Sequence, residues 1–212
     1  MSKIYFGFRI LLIKIKSIIL INYYRIFGIR CGKGTTINKK LMISGYLNRI
    51  QIGKKCSFHE GIRIVVNRQG KLVVGDNTLI SANVNINSGI ERINIGSNVM
   101  IAANTYIINN DHDIFDNLSV RNSGHISKCI TINDNVWIGA NCVILKGVNI
   151  GEGAIIGAGS IVTKDIIPYS VNHGIPCRFV KYRFTENELI KRLKDEGYKE
   201  DKVKNIVEEM YK

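Results

Sequence analysis

Aliphatic residues recur every six positions from residue 52 onward, and this spacing constrains the fold more than any other feature of the chain. An α-helix repeats every 3.6 residues and a simple strand every 2, so neither produces a six-residue period over such a distance. The period is typical of a solenoid in which each side of a coil contributes one inward side chain. Five triplets show it: Ile52, Phe58 and Ile64; Val74, Ile80 and Ile86; Ile95, Ile101 and Ile107; Ile132, Ile138 and Ile144; Ile150, Ile156 and Val162.

Glycine, asparagine and aspartate cluster between the triplets, where a solenoid must bend. Examples are Gly75-Asp76-Asn77, Gly96-Ser97-Asn98 and Asn133-Asp134-Asn135. These residue types tolerate the backbone angles of tight bends, so three sides of six residues would close an 18-residue coil. The interval from Ile107 to Ile132 holds nineteen residues beyond the period. It predicts a loop over residues 108–131, and a long loop on a rigid scaffold commonly carries function.

The C-terminal part of the chain has helical signals instead. Thr185 and Glu188 form the pattern of a capping box, and Gly197 is a stop signal. Two apolar faces follow the helical period: Leu189, Ile190 and Leu193, then Val203, Ile206, Val207 and Met210. We therefore predict a mainly β fold with helices at both ends: a basic, apolar, partly helical segment at 1–49, a solenoid at 50–183 and a helical extension at 184–212.

Positive charge is concentrated near the N-terminus. The chain carries a net charge of +13, and twelve basic residues but no acidic residue precede Glu60. Arg9, Lys14 and Lys16 interrupt the apolar run, which excludes a secretory signal or a membrane-spanning helix there. Helical spacing places Lys3, Lys14 and Arg25 on one stripe and Arg9 and Lys16 on another, with Phe6, Ile10, Ile13 and Leu20 between them.

This arrangement predicts a helix within residues 3–30 that rests on an anionic membrane surface. The alternative is that the apolar residues cap the first coil. The five cysteines, Cys31, Cys56, Cys129, Cys142 and Cys177, are odd in number and form no CxxC pair, so neither a disulfide framework nor a zinc ribbon is indicated. The cysteine pattern predicts a cytoplasmic protein. The basic helix predicts that this protein makes peripheral contact with the inner face of the cell membrane.

Residues 74–183 resemble the hexapeptide-repeat acyltransferases, in particular the galactoside and maltose O-acetyltransferases. The most specific stretch runs from Ile130 to Lys181 and contains N-V-W-I-G and G-I-P-C. The resemblance implies a left-handed parallel β-helix, a homotrimer with sites between subunits, a saccharide acceptor and acetyl-coenzyme A as co-substrate, without a metal or nucleic acid. The basic N-terminus is more similar to O-acetyltransferases of capsule and lipopolysaccharide assembly, because no acidic residue is present to contact a free sugar.

The resemblance also assigns site residues. His112, in Asn109-Asn110-Asp111-His112-Asp113, occupies the position of the catalytic histidine, and a neutral imidazole can take a proton from a sugar hydroxyl near pH 7. Asp111, Asp113 or a backbone carbonyl could orient it. Asn85 matches the asparagine that contacts the acceptor. The positions that match coenzyme A contacts are Trp137, Ala140, Ala158, Thr163, Lys164, Arg178 and Lys181.

Other functions remain open from the sequence. An N-acetyltransferase acting on an amino sugar nucleotide, or an antibiotic acetyltransferase, would share the donor site. A γ-type carbonic anhydrase shares the solenoid but needs three histidines on zinc, and His59, His125 and His173 lack the ligand spacing. Nucleic-acid binding by the basic segment is disfavoured because that segment is mostly isoleucine and leucine. Cys142 and Cys177 are expected to be buried rather than nucleophilic.

Overall fold

The computed structural model describes the backbone of residues 2–210 and the side chains of residues 12–210. Three parallel sheets form the three sides of a β-helix, with strands numbered in chain order. Sheet A contains β1 (Arg30–Cys31), β4 (Ile50–Ile52), β7 (Lys71–Val74), β10 (Arg92–Ile95), β15 (Ile130–Ile132) and β18 (Asn149–Ile150). Sheet B contains β2 (Thr36–Ile37), β5 (Ser57–Phe58), β8 (Leu79–Ile80), β11 (Met100–Ile101), β16 (Trp137–Ile138), β19 (Ile155–Ile156), β21 (Ser170–His173) and β22 (Arg178–Tyr182). Sheet C contains β3 (Met42–Gly45), β6 (Arg63–Val66), β9 (Asn85–Ser88), β12 (Tyr106–Ile108), β17 (Val143–Ile144) and β20 (Ile161–Val162).

The stacked coils bury one continuous aliphatic column. Every member of the five predicted triplets is buried, and the members of successive triplets stand in register, as with Ile80, Ile101 and Ile138 in sheet B. Each coil pairs its backbone with the next coil, so no coil could bury its own inward face alone. The fold class predicted from the sequence, a β-helix with helices at both ends, is confirmed.

Asparagine makes the bends from sheet A to sheet B. Asn77, Asn98 and Asn135 all adopt positive φ, at 53°, 56° and 61°. Asparagine reaches this left-handed region more easily than most residues, which explains its recurrence at one corner of successive coils. The amide of Asn77 donates to the side-chain oxygen of Asn98 at 2.9 Å, so the corners are also joined to each other.

The first coil begins earlier than the sequence indicated. Strands β1, β2 and β3 pair with the second coil, so the solenoid starts at Arg30 rather than at residue 50. Cys31, Ile37 and Ile43 occupy the inward positions, six residues apart, opposite Ile52, Phe58 and Ile64. A half-buried cysteine in place of an aliphatic residue conceals the period there.

One long helix, α1 (Ser2–Ile26), precedes the first coil and covers it. Ile21 and Tyr24 are buried in the core cluster, and the hydroxyl of Ser17 accepts the backbone N–H of Ile37 at 2.7 Å. The Tyr24 hydroxyl accepts the N–H of Leu41, also at 2.7 Å. One face of α1 therefore caps the first coil, as the alternative interpretation proposed. Over the described residues, no helix combines the length and apolar character needed to cross a membrane.

Two helices, α2 (Glu186–Asp195) and α3 (Glu200–Met210), follow β22. Thr185 caps α2 through the predicted capping box with Glu188. Leu189, Leu193, Val203, Ile206 and Met210 form a second buried cluster with Tyr169 of the last coil. Two short 3₁₀ turns, Leu47–Arg49 and Val120–Asn122, lie in the connections between strands.

A carboxylate anchors α3 to the solenoid. Glu152 Oε1 accepts the hydroxyls of Tyr169 at 3.0 Å and Tyr198 at 2.5 Å, while Oε2 pairs with Lys202 at 3.1 Å. Burial, together with the carboxylate of Glu152, raises the pKa of Tyr198 to about 12 and that of Tyr169 further. The two hydroxyls therefore stay protonated and donate to Glu152 over the neutral pH range.

Candidate active site

The long loop leaves the solenoid after β12 and forms a small hairpin that carries His112. Its strands, β13 (Asn110–His112) and β14 (His125–Ser127), are antiparallel, and His112 stands opposite His125. The two rings stack with centroids 4.4 Å apart and planes tilted by 39°. Their position leaves both imidazoles exposed to solvent, where an acceptor could approach.

Buried hydrogen bonds fix the root of this hairpin. The Asn109 side chain is fully buried: its oxygen accepts the N–H of Gly89 at 2.7 Å, and its nitrogen donates to the Glu91 carbonyl at 2.7 Å. Asp111 forms an ion pair with Lys146, which follows β17 in the next coil. The strand that carries His112 is thus held to two coils by side chains on either side of it.

Neither neighbouring aspartate orients the imidazole. Asp111 is engaged by Lys146, and Asp113 accepts the N–H of Phe115 at 3.0 Å. No hydrogen bond to His112 is present among the described residues, so its contact with His125 is what limits the ring orientation. The side-chain oxygen of Asn110 is buried and has no hydrogen-bond partner in this part of the chain, which leaves one acceptor beside the histidine.

Asn85 lies in sheet C and faces outward from it. Its amide nitrogen donates to the Asn83 carbonyl at 3.1 Å, which leaves the amide oxygen free. Together with Arg63 and Tyr106, it lines a cavity of about 370 Å³ on the outer face of the sheet. His112 is not part of that lining. The structure therefore does not join the two predicted catalytic residues within one chain.

Five of the seven predicted coenzyme contacts lie along sheet B and the bend that follows it. The Trp137 side chain is 47% exposed. On the outer face of sheet B, strand pairing places Ile155 beside Trp137, Val171 beside Ile155 and Lys181 beside Val171. Gly139 and Gly157 begin the bend. His173 packs against Gly157 and pairs with Arg178, so Arg178 lies close to the bend. Ala140 and Ala158 stand next to each other in this bend, because the Ala140 carbonyl accepts the N–H of Gly159 at 2.8 Å.

This bend offers unpaired backbone donors. The N–H groups of Ala140 and Ala158 make no hydrogen bond to any described residue. A Cβ at Gly139 would stand 2.6 Å from the Ala158 nitrogen, so only glycine allows the two bends to approach so closely. The result is a narrow surface of small residues with two N–H groups that no described residue accepts, near the exposed cations Arg178 and Lys181.

Thr163 and Lys164 lie at the other edge of sheet C. Lys164 stands two residues beyond Val162, and Lys146 stands two residues beyond Ile144 in the preceding coil. The edge from sheet C to sheet A thus carries His112, Lys146 and Lys164, whereas the bend from sheet B to sheet C carries Ala140 and Ala158. In a single chain the width of sheet C separates these two groups.

The cysteines lack the features of nucleophiles. All five are free thiols, and burial raises the pKa of the Cys142 and Cys177 thiols. A raised pKa disfavours the thiolate that nucleophilic catalysis requires. Within the described residues, no group of three or more His, Cys, Asp or Glu side chains could hold a metal ion.

His125 and Lys146 were not predicted from the sequence. Lys146 looks like one of many surface lysines, and only the register of β12 and β17 brings it beside the hairpin. The one signal in the sequence for a role of His125 was that it is a second histidine within the aperiodic loop that carries His112. Its position opposite His112 depends on the hairpin register, which the sequence does not reveal.

Comparison with known proteins places these coils in a family. Residues 129–164 match the model of the bacterial transferase hexapeptide (six repeats), and residues 71–108 match the hexapeptide repeat of succinyl-transferase. Galactoside O-acetyltransferase of Escherichia coli K12 is 43% identical over 115 residues, which cover 54% of this chain and 53% of that protein. The chain therefore matches about half the length of that relative.

A second E. coli K12 relative, a putative lipopolysaccharide biosynthesis O-acetyl transferase, WbbJ, is 29% identical over 66% of this chain and 75% of its own. Among solved structures, the N-acyltransferase AntD of Bacillus cereus, in complex with dTDP-4-amino-4,6-dideoxyglucose and coenzyme A, has the same fold. It is 24% identical with a TM-score of 0.70, over 82% of this chain and 93% of that one.

A hexapeptide-repeat-containing acetyltransferase of Vibrio cholerae, complexed with acetyl coenzyme A, is 28% identical with a TM-score of 0.55, over 76% and 73% of the two chains. Both matching repeat models fall on stacked coils of the solenoid. Residues 71–108 and 129–164 thus carry hexapeptide repeats, and the chain is similar to the hexapeptide-repeat acyltransferases.

Proposed function

We propose that this protein is an acetyl-coenzyme A-dependent O-acetyltransferase that acts on a sugar hydroxyl of a surface polysaccharide or its precursor. The observation that carries the proposal is His112 itself. It is exposed on a hairpin whose root is buried, stacked on His125, and tied to the next coil through Asp111 and Lys146. An imidazole that is accessible but held in place suits a general base.

The bend at Ala140 and Ala158 fits the acyl donor. Its unpaired N–H groups can donate to a carbonyl oxygen that gains negative charge during transfer. Trp137 supplies an exposed apolar surface for the pantetheine arm, and Arg178 and Lys181 supply charge for the phosphates. The donor set therefore matches the three chemical parts of acetyl-coenzyme A, which provides a thioester as the source of the acetyl group.

Transfer requires no covalent enzyme intermediate. His112 takes the proton of the sugar hydroxyl while the oxygen bonds to the acetyl carbon and the bond from that carbon to sulfur breaks. The proton on His112 then passes to the departing thiolate, which returns the imidazole to its neutral form. The raised pKa of Cys142 and Cys177 agrees with a mechanism without an acyl-cysteine.

We further propose that the active form is a homotrimer. The predicted site residues form two groups at opposite edges of sheet C, with His112 in one and Ala140 in the other. A threefold arrangement that places one edge of each chain against the other edge of its neighbour would join the two groups. Such a closed cyclic assembly contains three equivalent sites.

The acceptor and the location form part of the same proposal. The similarity to WbbJ supports a saccharide of lipopolysaccharide type, and the basic first quarter of the chain supports work against the inner face of the cell membrane. Five free thiols support a cytoplasmic location. The fold shared with AntD supports one alternative, N-acylation of an amino sugar nucleotide.

The His112→Ala variant tests the catalytic assignment. It should fold and bind acetyl-coenzyme A like the native protein, but kcat should fall by about 100- to 10,000-fold, since this is the contribution of a positioned general base. His59→Ala, at a half-buried histidine directly after β5, is the matched control and should leave kcat unchanged. Full activity of His112→Ala would refute the assignment, and transfer only to amino sugars would favour N-acylation.

A further inference from the structure

The outer side of α1 is flanked by two grooves that run between the helix and the first coil. The larger, about 850 Å³, is lined by Leu12, Ile19 and Lys16 together with Lys39 and Lys40. The smaller, about 540 Å³, is lined by Ile18, Ile21, Lys14, Arg25 and Lys33, with backbone of the first coil as its floor. Each groove thus combines an apolar wall with several cations.

The smaller groove has the sharper chemical character. Lys14 and Arg25 line it together, as their three-turn spacing requires, while Lys16 lies in the other groove. No acidic residue lines it, whereas Glu60 pairs with Lys39 in the larger groove at 2.7 Å. The side-chain ammonium groups of Lys14 and Lys33 form no ion pair or hydrogen bond with any described residue, and the Arg25 guanidinium donates to the Cys31 carbonyl at 2.7 Å. The smaller groove therefore presents free positive charge beside exposed isoleucine.

From this combination we infer that the smaller groove binds the phosphate headgroup of an anionic lipid, so that the first-coil end of the solenoid docks on the membrane. Ile18 lines this groove and is 60% exposed, so it can enter the headgroup region beside the bound phosphate. The inference deepens the proposed function because it specifies how this end of the protein meets a membrane-borne acceptor, and it rests on the proposed location.

Charge complementarity favours a lipid surface over a second copy of the chain. The first 59 residues hold twelve basic residues and no acid, whereas the remaining residues are nearly balanced, with eighteen basic and seventeen acidic. Two copies that met through α1 would bring like charges together. An anionic bilayer offers phosphate to the cations and acyl chains to the isoleucines.

The geometry also gives the height of the active site. The hairpin of His112 leaves the fourth coil, three strand spacings of about 4.8 Å from the first coil. His112 would thus stand roughly 15 Å above the first coil and about 25 Å above the outer side of α1, since a helix is about 10 Å thick.

Flotation of the full-length protein with vesicles tests the inference. Vesicles of 30% phosphatidylglycerol in phosphatidylcholine should bind the protein, and vesicles of pure phosphatidylcholine should not. A triple variant, Lys14→Gln with Arg25→Gln and Lys33→Gln, should bind about 100-fold more weakly, because each cation near an anionic surface contributes about fivefold. Ile18→Ser should also weaken binding but leave its salt dependence unchanged.

A matched triple variant separates the groove from net charge. Lys191→Gln, Lys199→Gln and Arg92→Gln remove the same charge from exposed sites on α2, near α3 and on β10. This control should bind anionic vesicles within about threefold of the native protein, since these sites lie away from the docked end. An equal loss in both triple variants would show that overall charge suffices, and it would overturn the groove assignment.

Three further outcomes would contradict the inference. Native-like vesicle binding by the groove variant would overturn it directly. Saturable thermal stabilisation by inorganic phosphate, without binding to vesicles, would indicate a free-anion site. Loss of trimers in the groove variant would indicate that a second copy occupies this surface. Acetyl transfer to a water-soluble sugar is measured in parallel and should be unchanged in the groove variant, so failure of the proposed function remains distinguishable.

Discussion

Removing the carboxylate of Glu152 should release the C-terminal helices without unfolding the solenoid. The side chain of Glu152 is 11% exposed, and it holds two tyrosine hydroxyls, of Tyr169 and Tyr198. Of these two hydrogen bonds, only the one to Tyr198 joins the solenoid to the helical extension. A hydrogen bond to a charged group contributes about 1.5–3 kcal/mol, so Glu152→Ala should weaken the docking of the helices by about 2 kcal/mol. Lys202 is half exposed and adds at most about 1 kcal/mol.

Hydrogen exchange followed by mass spectrometry measures this loss locally. Exchange in peptides from residues 186–210 should accelerate by about 30-fold in Glu152→Ala, which corresponds to about 2 kcal/mol. Peptides from residues 71–108 should exchange as in the native protein, because each coil of a solenoid contacts only its neighbours. Glu152→Gln should be intermediate, since its amide oxygen still accepts a hydrogen bond.

The control for this experiment is Glu200→Gln. Glu200 pairs with Lys194 at 3.4 Å, but its side chain is 88% exposed, and such surface pairs contribute less than about 1 kcal/mol. Its exchange pattern should match that of the native protein. Equal acceleration in the helices and the coils of Glu152→Ala, or none in either, would refute the idea that this carboxylate is the anchor.

Three other results are expected. Lys164→Ala and Arg178→Ala should raise KM for acetyl-coenzyme A several-fold with little change in kcat, because they remove binding that is uniform along the reaction; an effect on the acceptor KM alone would contradict their roles. Burial raises the folded-state pKa of Tyr198 to about 12, so the stability that its protonated hydroxyl contributes should be complete below pH 10 and lost as the pH rises from 10 to 12. Circular dichroism should show α3 detaching in that range, and the change should be less steep in Tyr198→Phe. Sedimentation equilibrium should give three times the 23.8 kDa chain mass, and an active species at the chain mass would rule out a shared site.

The six-residue period was sufficient to predict the column but not its start. The predicted inward residues from Ile52 to Val162 are all buried, because stacking leaves a single inward position on each side of a coil. The same spacing continues backwards through Ile43, Ile37 and Cys31. A cysteine at one inward position and a short stretch rich in glycine and lysine obscure the six-residue period there. The first coil could therefore be recognised only from the pairing of its strands with the second coil.

Contacts across long separations were beyond the reach of the sequence. Glu152 and Tyr198 lie 46 residues apart, and no periodicity links a bend residue to a distant helix. The pairing of His112 with His125 depends on a hairpin register within an aperiodic loop. For α1, the sequence pattern predicted a helix with two cationic stripes. Lys14 and Arg25 line one groove beside α1 and Lys16 lines the other, as the two stripes require. The predictions for four other side chains lie outside the described ones: Lys3, Phe6, Arg9 and Ile10. The pattern could not decide between capping and exposure, because α1 does both on opposite faces.

The cap on the first coil also bears on the symmetry of self-association. Sheet B begins at β2, whose backbone N–H at Ile37 is taken by Ser17, and it ends at β22, which runs antiparallel to β21. Without α1, the strands of the first coil would form an open edge able to pair with another chain. The reversed strand at the far end prevents parallel coils from stacking onward in register, so two such molecules could join only edge to edge about a twofold axis. Truncation of α1 would thus produce closed pairs rather than filaments.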